Sequence, residues 1–307
     1  MGHLENGRWV IENVVPESKD GDFKRQNQKF RDGVGPASER GFYHLYASLA
    51  CPWAHRTLIM RKLKKLEDLI PVSVVNPKMM DEGWSFDSDF PEATGDQLLH
   101  SKFLREIYTT ADPDFTGKVT VPVLFHTKTK KIVNNESSEI IRIFNDAFND
   151  LTGSKEDYYP EDLREEIDEI NKDVYQHINN GVYLTGFALK QSVYEKNFDS
   201  LFKALDRIDK HLEGKKYLIG EKLTEADIRL YTTLVRFDPV YYVHFKCNRT
   251  LIRDFTHLSS YLKRLYEIPA FCETTNFEHI KTHYYFSHRQ FNPYGIVARG
   301  PEPLILA

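Results

Sequence analysis

A cysteine stands where a strand-like run meets an amphipathic helix. The stretch YASLACPWAHRTLIM, residues 46–60, places Cys51 directly before Pro52. The start of a helix has unpaired backbone N–H groups and the positive end of the dipole, and both lower the pKa of a thiol held there. Pro52 suits the first helical position, which needs no N–H donor. The stretch predicts a partly exposed thiolate, a nucleophile for disulfide or thioether sulfur; the alternative is a buried, inert cysteine.

Two further segments have features that could serve such a thiol. In TVPVLF, residues 120–125, Pro122 precedes a strand, where a special geometry such as a cis peptide bond is expected. In NNESSEIIR, residues 134–142, Glu136 and Ser137 stand at a helix start, where backbone N–H groups can hold a carboxylate. Each has a structural alternative, a turn proline and a helix cap. Together with Cys51 they occupy the three places where a thioredoxin-type fold builds a glutathione pocket.

The other cysteines give no sign of a disulfide framework or a metal centre. Cys247 and Cys272 are far from Cys51 and from each other, and none of the three lies in a C-x-x-C pair or at zinc spacing from a histidine. We expect Cys247 in a connecting segment and Cys272 on a buried helix. The sequence therefore predicts thiols and no metal site.

Composition limits the class of partner. The 307 residues suffice for two domains, and the net charge of -4 gives no basic field for nucleic acid or an anionic membrane. No apolar run is long enough for a membrane span, and the opening MGHLENGRWV lacks a secretory pattern. We expect a cytoplasmic protein that binds neither nucleic acid nor membrane. The aromatic share of 13% suggests an aromatic-lined cavity or interface, although most rings could simply be core.

The elements that position these residues follow from periodicity. The first forty residues show no sustained period and are interpreted as a surface extension. Strands are predicted at 42–48 and 69–76, with a helix at 52–66 between them and another near 95–111. A strand, a turn at 127–130, a second strand and a helix opening at Glu136 or Ser137 complete the pattern. Parallel strands followed by an antiparallel hairpin predict a small sheet with helices on both faces.

Helical periodicity dominates from residue 151 onward. Four helical runs are predicted, within 161–180, 193–214, 224–245 and 258–269. In KLTEADIRLY, Thr224 is predicted as an N-cap with Asp227 as its capping-box partner. The second half is therefore predicted to be all-helical.

A set of motifs in this order resembles one family. SLACPWAHRTLI, TVPVL, NNESSEII, NNGVYLTGFA, LTEADIRLY and HYYFSH resemble the glutathionyl-hydroquinone reductases, the xi-class branch of the omega-like glutathione transferases. The resemblance covers the chain from about residue 42 to its end. It implies the glutathione transferase fold, an α/β thioredoxin-like N-terminal domain plus an all-α C-terminal domain. The implied limits are 1–40 for an N-terminal extension, 41–150 for the glutathione-binding domain and 151–307 for the helical domain forming the aromatic substrate site.

The resemblance also implies roles for individual residues on the glutathione side. Cys51 would be the nucleophile, and Trp84 in DEGWSF would help to hold glutathione. The Val121 backbone would pair with the cysteinyl part of glutathione, while Glu136 and Ser137 would hold its γ-glutamyl end. One departure is Lys118, where the family usually has arginine. A lysine offers charge to the glycyl carboxylate but not the two-pronged hydrogen bond of a guanidinium.

Tyrosines would form the aromatic side of the site. The resemblance places Tyr183 and Tyr284 there as catalytic and substrate-binding residues, with Tyr285 as a further lining residue. For any tyrosine taken alone, a core position is the ordinary interpretation.

The implied activity is reductive removal of glutathione from an aromatic ring, as in quinone detoxification. Glutathione would be the co-substrate, no metal or nucleotide would be needed, and a homodimer is expected. A rival enzyme is an omega-like thioltransferase or dehydroascorbate reductase, which would use Cys51 without an aromatic acid. A third possibility is a non-catalytic glutathione-fold binding protein, which would have no use for the thiolate.

Overall fold

The computed structural model describes residues 2–11, 20–35 and 41–306. Contacts group the described residues into two compact units. The first unit comprises 2–11, 26–35, 41–156 and 274–295, and the second comprises 20–25, 157–273 and 296–306. No helix among the described residues is long and apolar enough to cross a membrane.

The first unit contains all the strands found in the described residues. They are β1 Gly2–Glu5, β2 Arg8–Ile11, β3 Tyr43–Ala47, β4 Val72–Val74, β5 Val123–His126 and β6 Lys131–Asn134. The helices of this unit are α1 Pro52–Leu63, α2 Leu104–Ala111, α3 Ser137–Asp146, α4 Asn149–Thr152 and α12 Phe277–Ser287.

The second unit is helical. Its α-helices are α5 Arg164–Val174, α6 Gly181–Gly186, α7 Gln191–His211, α8 Glu225–Arg236, α9 Tyr242–His244, α10 Thr256–Tyr266 and α11 Pro269–Cys272. Two π-helical segments lie at Tyr175–Asn179 and Phe237–Tyr241, and 3-10 turns at Glu161–Leu163, Ile252–Asp254 and Leu304–Leu306.

The main sheet has the strand order β4-β3-β5-β6. Strand β3 pairs with β4 in parallel and with β5 in antiparallel fashion, and β5 pairs with β6 as a hairpin. Every residue of β3 and β5 is buried, as expected for central strands covered on both faces. The predicted sheet of a parallel unit followed by an antiparallel hairpin is confirmed.

The N-terminal segment is more ordered than its lack of period suggests. Strands β1 and β2 form a hairpin around Asn6 and Gly7, which have φ of 47° and 73°. Asn-Gly tolerates these left-handed angles and is the usual signal for such a tight turn. Leu4 is buried, and its N–H donates to the Gly117 carbonyl at 3.0 Å. The sequence interpretation of the first forty residues as a surface extension did not include this hairpin.

The helix predicted near 95–111 begins later, at Leu104. The Asp96 carboxylate accepts hydrogen bonds from the N–H groups of Leu98, Leu99 and Ser101, at 2.9 to 3.1 Å. These bonds offer the backbone an alternative to helical pairing. The preceding segment is therefore a loop, although its apolar spacing resembles that of a helix.

The helix start predicted at Thr224 is confirmed. The Asp227 carboxylate accepts from the Thr224 N–H at 2.8 Å as the capping-box partner. It also accepts from the Leu218 N–H at 2.9 Å and the Tyr261 hydroxyl at 2.8 Å. The Asp227 carboxylate thus caps α8 and also joins the loop before this helix to α10.

The last long helix, α12, belongs to the first unit and not to the helical one. Its Ser287 hydroxyl accepts from the Met79 N–H at 3.0 Å and donates to the Pro77 carbonyl at 3.3 Å. The His283 imidazole also bonds to the Pro77 carbonyl, at 3.0 Å. The grouping by contacts differs here from the predicted limit of 151–307, because the loop after β4 binds a segment distant in sequence.

Candidate active site

Cys51 is the N-cap residue of α1, with Pro52 as the first residue of the helix. Its backbone is extended, at φ -76° and ψ 124°, and the residue is half-buried. The Cys51 Sγ lies 3.7 Å from the Val121 carbonyl oxygen, to which its S–H can donate. The Val121–Pro122 peptide bond is cis, as predicted. The sequence therefore correctly placed Cys51 at the start of a helix and a special geometry at Pro122. The nucleophilic role of Cys51 stays a prediction.

The other two cysteines occupy different environments. Cys247 is fully buried, and this burial raises the pKa of its thiol. Cys272 is the last residue of α11 and is half-buried, whereas a buried helix was predicted for it. None of the three, all of which are described, forms a disulfide. Of these thiols, Cys51 is the one held at the start of a helix.

Glu136 and Ser137 lie at the start of α3. Glu136 is the N-cap, and its carboxylate accepts from the Ser138 N–H at 3.0 Å and the Ser138 hydroxyl at 2.9 Å. Ser137 is the first residue of the helix and is buried. The capping role predicted as the structural alternative is therefore real for Glu136, and contact of either residue with glutathione stays a prediction.

Arg56 is a residue of this region that the sequence interpretation missed. It is 1% exposed, its guanidinium lies 4.5 Å from the centre of the Trp53 ring, and its Nη1 donates to the Ser137 hydroxyl at 3.4 Å. Arginine is rarely buried so completely, because its charge must be compensated. An arginine inside the otherwise mainly apolar buried run of α1 was the available signal. It links the helix that begins after Cys51 to the helix that begins at Ser137.

Trp84 lies next to α12. Its indole is 7% exposed and stacks on the His283 imidazole, with ring centres 4.6 Å apart at 21°. The His283 Nδ1 donates to the Pro77 carbonyl and so fixes the ring. The Tyr284 ring packs edge-on against His283 at 5.4 Å. The structure thus brings Trp84 and Tyr284 together through His283.

The two α12 tyrosines are both buried, Tyr284 at 2% and Tyr285 at 4% exposure. Burial raises the pKa of Tyr285 to about 12. A phenol with that pKa is a weaker proton donor than an ordinary tyrosine. The Tyr284 ring also contacts the His288 ring, at 5.5 Å.

Lys118 has an exposed side chain in the segment before β5. The preceding Gly117 has φ of 151°, and its N–H donates to the Leu4 carbonyl at 2.9 Å. The hairpin β1–β2 therefore fixes the backbone next to Lys118. Its contact with the glycyl carboxylate of glutathione stays a prediction.

Tyr183 belongs to the second unit, in α6, where it is half-buried in an aromatic cluster. Its ring centre lies 5.4 Å from that of Phe245 and 6.2 Å from those of Phe187 and Tyr241. Phe23 stacks at 6.4 Å, and the Arg25 guanidinium lies 4.9 Å from the Tyr183 ring centre. The family resemblance placed Tyr183 on the aromatic side of the site, but nothing in the sequence indicated that Phe23 and Arg25 lie next to it.

Two sequence families match the chain. Residues 50–147 match the glutathione S-transferase N-terminal domain and residues 191–264 match the C-terminal domain. The chain is also 50% identical to glutathionyl-hydroquinone reductase YqjG of Escherichia coli (strain K12), over 98% of this chain and 95% of that protein. The chain belongs to the glutathione S-transferase family. The predicted family and fold are confirmed.

Solved structures place this transferase near the xi class. The xi glutathione S-transferase of Phanerochaete chrysosporium has a TM-score of 0.91 and 53% identity, covering 94% of this chain and 95% of that one. The glutathione-bound structure of YqjG from Escherichia coli K-12 has a TM-score of 0.87 and 48% identity, covering 99% and 97%. The similarity therefore extends over both units of this transferase.

Proposed function

We propose that this transferase is a reductase that removes glutathione from glutathionyl-hydroquinones. The observation that carries the proposal is the position of Cys51, a half-buried thiol at the N-cap of α1. A thiol in that position is favoured as thiolate and can attack sulfur. The 50% identity to a protein named glutathionyl-hydroquinone reductase supports the choice of substrate class.

Glutathione binds, in this proposal, to the first unit. Its cysteinyl backbone pairs with that of Val121, whose carbonyl lies beside the Cys51 sulfur. Its γ-glutamyl carboxylate lies at the start of α3, where helix N–H groups and the Ser137 hydroxyl are donors, and Glu136 faces its amino group. Trp84 packs against the peptide, and Lys118 offers charge to the glycyl carboxylate.

The reaction proceeds in two exchanges at sulfur. The Cys51 thiolate attacks the glutathione sulfur of the substrate, an S–S bond forms and the carbon–sulfur bond to the ring breaks. The ring carbon takes the bonding electron pair and a proton, which gives the hydroquinone. A second glutathione thiolate then attacks the mixed disulfide and releases oxidised glutathione and the Cys51 thiolate. The two glutathione sulfurs are oxidised and the ring is reduced, so the electrons balance.

Tyrosines serve the leaving group. Expelling a carbon requires a proton at that carbon, whereas expelling a thiolate requires little help. Tyr183 and Tyr284 are the proposed donors, either to the ring carbon or by polarising the ring hydroxyl. Tyr285 lines the aromatic side, and its raised pKa makes it the poorer donor.

Thiol–disulfide exchange with glutathione needs neither a metal nor a nucleotide. A reactive cysteine that depends on reduced glutathione suits the reducing cytoplasm. We include a homodimer in the proposal as an expectation for this family.

A comparison of substrates tests the proposed function. The kcat/KM of the wild-type enzyme is measured with a glutathionyl-hydroquinone, with dehydroascorbate and with a small glutathione mixed disulfide. We expect the glutathionyl-hydroquinone to be reduced efficiently, with one hydroquinone and one oxidised glutathione formed per turnover. Preference for dehydroascorbate or the mixed disulfide would favour the omega-like thioltransferase. Glutathione binding without turnover of any of the three would indicate a binding protein.

A further inference from the structure

A short N-terminal segment, residues 20–25, packs on α6 and α7 in the second unit. The Leu189 N–H donates to the Gly21 carbonyl at 3.0 Å. The Asn197 amide bridges the Asp22 carboxylate and the Leu184 carbonyl, both at 3.3 Å. Two hydrogen bonds, from Leu189 and Asn197, therefore tie the segment that carries Phe23 and Arg25 to distant parts of the sequence.

Arg25 is held against Tyr183 from two directions. Its Nε donates to the Asn180 side-chain oxygen at 3.0 Å, and the Asn180 carbonyl accepts from the Tyr183 N–H at 3.0 Å. Its guanidinium lies 4.9 Å from the centre of the Tyr183 ring and 5.4 Å from that of Phe23. The hydrogen bond to Asn180 therefore places the cation over the phenol, one helical turn along α6.

The chemistry of a cation over a phenol favours proton donation. An arginine guanidinium carries a delocalised positive charge, which is attracted to the negative face of an aromatic ring. This attraction increases when the phenol loses its proton, because the phenolate ring is richer in electrons. The remaining neighbours of the Tyr183 ring described above are aromatic and polarise the phenol much less.

We propose that Arg25 is a positioning residue for Tyr183, which holds the phenol ring in place and favours release of its proton during turnover. The inference rests on the proposed role of Tyr183 as the donor to the aromatic leaving group. It makes the segment 20–25 part of the aromatic-substrate machinery. The segment contributes no group that attacks sulfur. Its effect is therefore confined to substrates in which the leaving group is a ring carbon and not a thiolate.

Kinetics of matched variants test this inference. The kcat of Arg25→Gln, Arg25→Lys, Tyr183→Phe and the double variant Arg25→Gln/Tyr183→Phe is measured with a glutathionyl-hydroquinone and with a small mixed disulfide. We expect Arg25→Gln to lower kcat for the hydroquinone roughly tenfold, Arg25→Lys to restore part of it, and the mixed disulfide to be nearly unaffected. In the Tyr183→Phe background the same change should cost less than about twofold, because the partner is gone.

Arg164→Gln is the matched control, because Arg164 also stacks on a tyrosine of this unit, Tyr159, at 5.2 Å. It should leave both activities unchanged. Equal loss of both activities in Arg25→Gln, or full additivity with Tyr183→Phe, would overturn the inference and leave Arg25 a purely structural residue.

A measurement without turnover separates this inference from the proposed function. In protein labelled at the tyrosine ζ-carbon, the NMR signal missing from Tyr183→Phe identifies Tyr183. Its titration should shift to higher pH in Arg25→Gln and stay unchanged in Arg164→Gln. An unchanged titration in Arg25→Gln overturns the inference even if the wild-type enzyme reduces glutathionyl-hydroquinones. A shift without any wild-type turnover of these substrates supports the contact and rejects the proposed function.

Discussion

The start of α1 in the first unit and the aromatic cluster around Tyr183 in the second each have a cysteine, and the two cysteines differ in burial and backbone position. Cys51 is half-buried at a helix start, beside a backbone carbonyl. Cys247 follows the aromatic cluster, its N–H donates to the Tyr241 carbonyl at 3.1 Å, and it is fully buried with a raised pKa. The same residue type is thus a nucleophile candidate in one region and core in the other, which shows that backbone position and solvation decide its chemistry.

The remaining residues of the two regions differ in the same way. The first region supplies polar atoms, namely the cap of Glu136, the Ser137 hydroxyl and the buried Arg56 guanidinium. The second supplies rings and the Arg25 guanidinium. In the proposed function, the first region carries the sulfur chemistry and the second helps the carbon leaving group.

The largest effect is expected for Cys51→Ser. A serine hydroxyl is not ionised at neutral pH, so turnover of every substrate should fall by at least about 10³-fold. Cys272→Ser, at a half-buried thiol of the other unit, is the control and should retain activity. Peptide mass mapping after exposure to oxidised glutathione should find the adduct on Cys51. An adduct mainly on Cys247 would remove the proposed nucleophile.

Tyr183→Phe tests the second region. Loss of a general acid should lower kcat for a glutathionyl-hydroquinone by ~10²–10⁴-fold and leave a small mixed disulfide nearly unaffected. Tyr284→Phe should act in the same direction. Tyr159→Phe, whose hydroxyl bonds to the Asp168 carboxylate, serves as the control. Equal losses with both substrates would contradict the donor role and favour the thioltransferase.

Mild acid should destabilise the first unit through His44. Burial lowers the pKa of this residue to about 4, while the unfolded residue titrates near its ordinary value of 6.5. Protons therefore bind the unfolded chain first, and the stability contributed by neutral His44 is lost as the pH falls from 6.5 towards 4. The loss should reach about 2 kcal/mol of unfolding free energy by pH 5.

Denaturant unfolding at pH 7.5 and pH 5 measures this loss. His44→Gln, which can keep the hydrogen bond to the Ser73 hydroxyl, should reduce the difference between the two pH values. His100→Asn, a change at an exposed histidine, should leave the difference between the two pH values unchanged. An unchanged pH dependence in His44→Gln would show that another group is responsible.

Arg56→Met should weaken glutathione binding in the first region. The variant loses the charged donor to Ser137, and we expect KM for glutathione to rise about tenfold with kcat little changed. Arg61→Met changes a second arginine of α1, which donates to the Ile70 and Glu67 carbonyls and so controls for general destabilisation. If both variants raise KM equally, Arg56 has no specific part in binding.

The smallest effect is expected for Lys118→Arg. A planar guanidinium fits a carboxylate better than an ammonium, so KM for glutathione should fall, by at most about fivefold at this exposed position, with kcat unchanged. Lys131→Arg, at an exposed position of β6, is the control. Identical kinetics of wild type and Lys118→Arg would mean that Lys118 does not contact glutathione.

The sequence features that gave correct predictions involve residues only a few positions apart. Pro52 marks a helix start and so places Cys51, and Asp227 caps Thr224 three residues before it. The signal in Asn6-Gly7 was equally local and was overlooked. The start of α2 was missed for another reason, since the apolar spacing of 95–111 suits a helix and the competing bonds to the Asp96 carboxylate leave no periodic trace.

The sequence by itself determined most of the elements, the family and the position of Cys51 at a helix start, because caps, turns and periodicity are properties of neighbouring residues. The tertiary structure alone decided that Arg56 reaches Ser137, 81 residues away, and that Arg25 reaches Asn180, 155 residues away. Such pairs depend on how distant segments pack, and packing is fixed by the whole chain. For this reason the contacts of these side chains could be identified only from the tertiary structure.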